Sequence, residues 1–133
     1  ITNINRFILD NKNSKILVIS HGRMIKNISE ASKSFSNFSI FAIDQIKPLD
    51  DSLKNILKKY SKIVVIEDNF NSGLYNSLCQ FVSEKRIEQS KLYSISVPEN
   101  FGETTGDTPF LDDRFGLTST KISMFLQNLD KTT

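Results

Sequence analysis

Residues 15–23 read KILVISHGR, and residues 62–68 read KIVVIED. In each, an unbroken apolar run, Ile16–Ile19 or Ile63–Ile66, stands between a lysine and a polar turn. A run this short is the pattern of a strand covered on both faces, as in a parallel sheet, whereas a half-exposed strand alternates. After Gly22 and Arg23, the residues Met24, Ile25, Ile28, Ala31 and Phe35 recur at helical spacing. The stretch therefore predicts a strand, a glycine turn and a helix.

Working outward, the unit repeats. Phe38–Ile43 reads as a second strand and Asp44–Asp50 as a connection, with Pro48 where a helix is about to start. Leu53, Ile56, Leu57 and Tyr60 mark the buried stripe of that helix. Beyond the Ile63–Ile66 strand come a polar loop, Glu67–Ser72, and Gly73, which opens a third helix with apolar face Leu74, Leu78, Phe81 and Val82. Leu92–Val97 is a fourth strand, ended by Pro98. The polar segment Glu99–Asp113, with Gly102, Gly106 and Pro109, reads as loop. Thr118 is placed to N-cap a last helix that buries Ile122, Phe125, Leu126 and Leu129, and Lys131–Thr133 should fray. Ile4–Leu9 is a short edge strand, free to run antiparallel, before the Asp10–Ser14 turn. Strands alternating with helices imply a three-layer α/β/α sandwich around a mostly parallel sheet of about five strands.

The 133 residues provide for one domain, 1–133, with one core. No apolar run approaches the ~18 consecutive residues of a membrane span, and the first residues lack the charged region followed by an apolar one that a signal peptide would show. Seventeen basic against fifteen acidic residues leave a formal charge of +2, which argues for neither nucleic acid nor an anionic membrane. Lys54, Lys58 and Lys59 read as a solvated helix face. The single cysteine, Cys79, excludes an internal disulfide and is expected to pack inside, compatible with a reducing cytoplasm. A chain starting at Ile1 suggests a piece of something longer.

In an open parallel sheet, ligands bind beyond the C-terminal strand ends. Those ends carry Ser20–Arg23, Asp44–Lys47, Glu67–Ser72 and Pro98–Gly106. His21 is the only histidine; it could act as a base, or join Arg23 in holding an anion, or simply bond a neighbouring backbone group. Glu67 and Asp68 are adjacent carboxylates, but adjacent residues at a strand end point in opposite directions, so helix capping or loop bonding is the expected use. Asp112 and Asp113 read as surface groups. The turn after the first covered strand has one glycine, Gly22, where a dinucleotide fingerprint needs three, and no P-loop or metal-ligand spacing occurs. A phosphorylation receiver would need acidic residues where Ser20 and His21 stand, and a flavodoxin-like phosphate loop would be richer in hydroxyls and glycine. The candidate interaction positions reduce to His21, Gly22, Arg23, Glu67 and Asp68; catalytic, cofactor-binding and metal-ligating residues are expected to be none.

Three stretches together resemble the C-terminal domain of the transketolase family. Lys15–Met24 is similar to its strand, glycine turn and helix start. Phe41–Asp50, with Asp44 and the closing Lys47-Pro48-Leu49-Asp50, is similar to its second strand and connection; the Leu53 helix, the Lys62–Asp68 strand and Gly73 follow in the family's order. Phe101-Gly102-Glu103 and Phe115-Gly116-Leu117-Thr118 resemble its closing segments. The likeness runs from about Phe7 to Leu129 and rests on order and spacing, since no single motif is specific. His21 departs from the small or aromatic residue more usual there, and Thr104-Thr105-Gly106 replaces Ser-Gly.

The resemblance implies a domain of an enzyme transferring ketol units between sugar phosphates. Thiamine diphosphate and Mg2+ would be held by diphosphate-binding and pyrimidine-binding domains that precede this one, on the same chain or a partner subunit. It implies a homodimer supported by this domain, in the cytoplasm. A Gly-Asp-x-Pro segment at Gly106–Pro109 is similar to the 2-oxo acid dehydrogenase β-subunit, and deoxyxylulose-phosphate synthase shares the domain, so both branches stay open. A stand-alone small-molecule binding module using the His21 and Glu67 loops is the alternative of another class.

Overall fold

The computed structural model describes residues 5–22, 24–44, 49–67, 73–88, 90–96 and 118–132. Five strands, β1 (Arg6–Leu9), β2 (Ile16–Ser20), β3 (Ser39–Ala42), β4 (Lys62–Glu67) and β5 (Lys91–Ser96), form one sheet in the order β1-β3-β2-β4-β5. β3, β2, β4 and β5 run parallel, with Val18 opposite Ile40 and Val64, and Val64 opposite Tyr93. β1 lies antiparallel on β3 at the edge, its register shifting between Phe7 and Leu9. The expected mostly parallel sheet with an antiparallel edge is what forms.

Both covered runs are interior strands with neighbours on each side, and their residues Ile16–Ser20 and Lys62–Glu67 are buried throughout. Alternate residues then serve opposite faces. On one face, Ile16, Val18, Ile40, Val64 and Ile66 pack with α1 (Met24–Ala31) through Met24, Ile28 and Ala31. The last helix, α4 (Ser119–Asp130), joins them through Ile122, Leu126 and Leu129. On the other, Leu17, Ile19, Phe41, Ile63 and Val65 meet Leu53 and Leu57 of α2 (Leu53–Leu57), and Leu74, Leu78 and Phe81 of α3 (Leu74–Glu84).

Several expectations need correction. α2 is five residues long and begins at Leu53, where Asp50 Oδ1 accepts from Ser52 N at 3.0 Å; Tyr60 is buried beyond its end, its hydroxyl 3.0 Å from Ser39 Oγ. Phe35 lies past the end of α1, stacked on Phe38 at 6.1 Å. Cys79 is half-buried rather than interior, because it flanks the Leu74–Leu78–Phe81 stripe. Lys131 and Thr132 do not fray: their amides donate to Asn128 O and Leu129 O at 3.2 Å. Pro48, Pro98 and the segment 99–113 lie outside the described residues. No helix among the described residues is long and apolar enough to cross a membrane.

Candidate functional site at the strand switch point

The chain passes from β2 to β3 in one direction along the sheet, then crosses back to β4 and on to β5. α1, after β2, covers one face, whereas α3, after β4, covers the other. The connections leaving the adjacent strands β2 and β4 therefore part to opposite sides, and this is where open α/β sheets place their ligand crevice. The sequence candidates His21, Gly22 and Glu67 come together at this point, directly after the Ser20–Ile66 pair of the ladder. Arg23 and Asp68 lie outside the described residues, as do Lys47, residues 101–103 and residues 115–117.

Glu67 is not in a polar loop. It closes β4 with 5% of its surface exposed, and its carboxylate is turned onto the start of α3. Oε1 accepts from Leu74 N at 3.2 Å and Oε2 from Tyr75 N at 3.1 Å. Gly73, at φ 67, takes the left-handed conformation that lets the chain enter the helix there. The carboxylate thus fills two otherwise unpaired helix amides and sits at the positive end of the helix dipole. Capping is one of the two uses expected of this residue.

On β2, Ser20 is fully buried and its hydroxyl donates to Ile66 O at 2.5 Å, tying the two strands together beneath the crevice. Nothing in the sequence marked this serine beyond its place after the apolar run. Gly22 has φ 70, and a Cβ there would meet nothing within 4 Å, so glycine serves the backbone turn rather than a close approach. Its carbonyl accepts from Ile25 N at 3.3 Å at the entry to α1.

His21 departs from the expected backbone-bonded imidazole. Its Nε2 is shielded from solvent and has no hydrogen-bond partner among the described residues, a costly condition for a ring nitrogen. In the first turn of α3, a hydrogen bond with Cys79 is the main cause that pushes the Tyr75 phenol above its ordinary range, with burial and the electrostatic effect of Cys79 adding. Among the described residues, no group of three or more His, Cys, Asp or Glu side chains could hold a metal ion. With Glu67 already committed, the described residues do not fit a Mg2+-diphosphate or an aminopyrimidine-activating site.

The family model described as "Transketolase, C-terminal domain" matches residues 6–122. A comparison with curated protein sequences finds no match. Among solved structures, a split-gene transketolase in an inactive β4 tetramer aligns with TM-score 0.73 at 20% identity, over 92% of this chain and 41% of the other. A 2-oxoglutarate:ferredoxin oxidoreductase from Magnetococcus marinus aligns with TM-score 0.62 at 13% identity, over 94% and 19%. The transketolase from Leishmania mexicana aligns with TM-score 0.57 at 14% identity, over 96% and 18%. These likenesses concern the fold, and the chain spans less than half of each of those proteins.

Proposed function

The chain belongs to the transketolase C-terminal domain family, and on that premise we propose that it is the non-catalytic C-terminal domain of a thiamine-diphosphate-dependent enzyme transferring ketol units between sugar phosphates. The observation that carries this reading is the commitment of Glu67. The one described carboxylate buried at the switch point spends both oxygens on the α3 amides, so it is not free to polarise an aminopyrimidine or to ligate Mg2+. That chemistry belongs to the diphosphate-binding and pyrimidine-binding domains, on the same chain or on a partner subunit. The present domain supports them, and the dimer, from outside the reacting centre in a cytoplasmic enzyme.

His21 fits the same role. A ring nitrogen shielded from water and unpartnered among the described residues is completed by a polar group of an adjoining domain. The switch point is then a docking contact rather than a cofactor pocket, with His21 and Gly22 on one side and Glu67 on the other.

Calorimetric titration of the chain with thiamine diphosphate and Mg2+ tests the reading. No saturable binding and no turnover of a ketose phosphate are expected. Stoichiometric micromolar binding would overturn it in favour of a small-molecule module centred on the His21 and Glu67 loops.

A further inference from the structure

At the opposite end of the sheet, where the parallel strands begin, lies a cavity of about 430 Å³ between the turn before β2, the start of β4 and the end of α4. Its hydrogen-bonding groups are unevenly used. The lining carboxylate and several backbone carbonyls are engaged internally. Lys62 Nζ takes Leu129 O and Thr132 O at 2.6 Å and Thr132 Oγ1 at 2.9 Å. The carbonyl of Lys15 receives the amides of Ser61 and Lys62 at 3.1 Å. Both carboxylate oxygens of Asp130 accept from Asn37 Nδ2 at 3.2 Å.

Other side chains are spare. Among the described residues, the side chains of Asn13, Lys15, Ser61 and Lys131 line this cavity without an intramolecular partner. The charge is unbalanced too. Lys15, Lys62 and Lys131 face one carboxylate, Asp130, so the lining holds two net positive charges, as many as the whole chain. Lys62 is buried with neutral acceptors only, which satisfy its N–H groups without cancelling its charge.

We propose that this cavity binds a phosphate group, carried by inorganic phosphate or by a small phosphate monoester. The two ammonium groups free to donate, Lys15 and Lys131, backed by the buried charge of Lys62, suit a tetrahedral dianion, whereas a planar carboxylate is better matched by a guanidinium fork, which the lining lacks. The space exceeds one phosphate, and a lining without apolar side chains suits a hydroxylated body on the ester. The cavity lies at the N-terminal ends of the strands, whereas the switch point lies at their C-terminal ends, so the two sites are separate.

The test is amide NMR of the full 133-residue chain, titrated at fixed ionic strength with sodium phosphate, with glucose 6-phosphate and with sodium chloride as control. Saturable shifts confined to residues around Asn13, Ser61 and Lys131 are expected with phosphate, with the ester, or with both. Saturation by phosphate alone assigns the free ion, and saturation by the ester assigns the monoester. Replacing two exposed charges in K15Q/K131Q should weaken binding roughly ten-fold. D130N, which keeps a partner for Asn37 while removing the opposing charge, should tighten it by about three-fold. Equal shifts with chloride, no saturation with either phosphate, or an unchanged affinity in K15Q/K131Q would each overturn the proposal.

Discussion

The hydrogen bonds of Glu67 make it the residue on which the switch point depends. Glu67→Ala strands two helix amides, one of them on the buried Leu74, and should cost about 1–3 kcal/mol, whereas Glu67→Gln keeps one acceptor and should cost less. A urea midpoint unchanged in Glu67→Ala would detach the carboxylate from the helix start. Thr118 is a simpler case, since its Oγ1 accepts from Lys121 N at 3.3 Å and its backbone is extended, as an N-cap requires. Thr118→Ala should cost about 0.5–2 kcal/mol in the same measurement, nearer the lower end for so long a bond. Thr118 was legible in the sequence because a cap is local, fixed by the residue type and the stripe that follows. The burial of Glu67 was not, because a glutamate before a polar run looks solvated unless the helix that will receive it is already in place.

At the scale of elements, the sequence revealed most where burial is total. The runs of β2 and β4 are apolar without a break because each has strands on both sides and helices on both faces. Strand order was not legible, since it depends on pairings between segments far apart in the chain. Nor was the link between β4 and α4. A lysine opening a strand reads as a solvated end, yet Lys62 is buried and its ammonium holds the carbonyls at the C-terminus of α4. A cation at that end also opposes the partial negative charge of the helix. Lys62→Met should therefore destabilise by about 1–3 kcal/mol. It should also speed hydrogen exchange in the last turn of α4 while β4 stays protected. If exchange in that turn is unaltered, the lysine is not what holds the helix end.

For the whole molecule, the sheet divides one core into two. The side chains of Ile122 and Ile63 lie in separate clusters, one between the sheet and α1 with α4, the other between the sheet and α2 with α3. Both clusters draw on the same central strands: Ile16 and Val18 of β2 serve one, Leu17 and Ile19 the other. Neither layer can dissolve without exposing strands that the other needs, so the domain should unfold in a single transition. The two sites share no packing partner across the sheet, and their energetic effects should still be independent. Ile122→Val and Ile63→Val each remove one buried methylene and should cost about 0.5–1.5 kcal/mol. The double variant should lose their sum to within about 0.5 kcal/mol, with one transition by both fluorescence and far-UV circular dichroism. Two separable transitions would mean that the layers fold as independent units. A coupling above about 1 kcal/mol would mean that strain passes through the sheet from one core to the other.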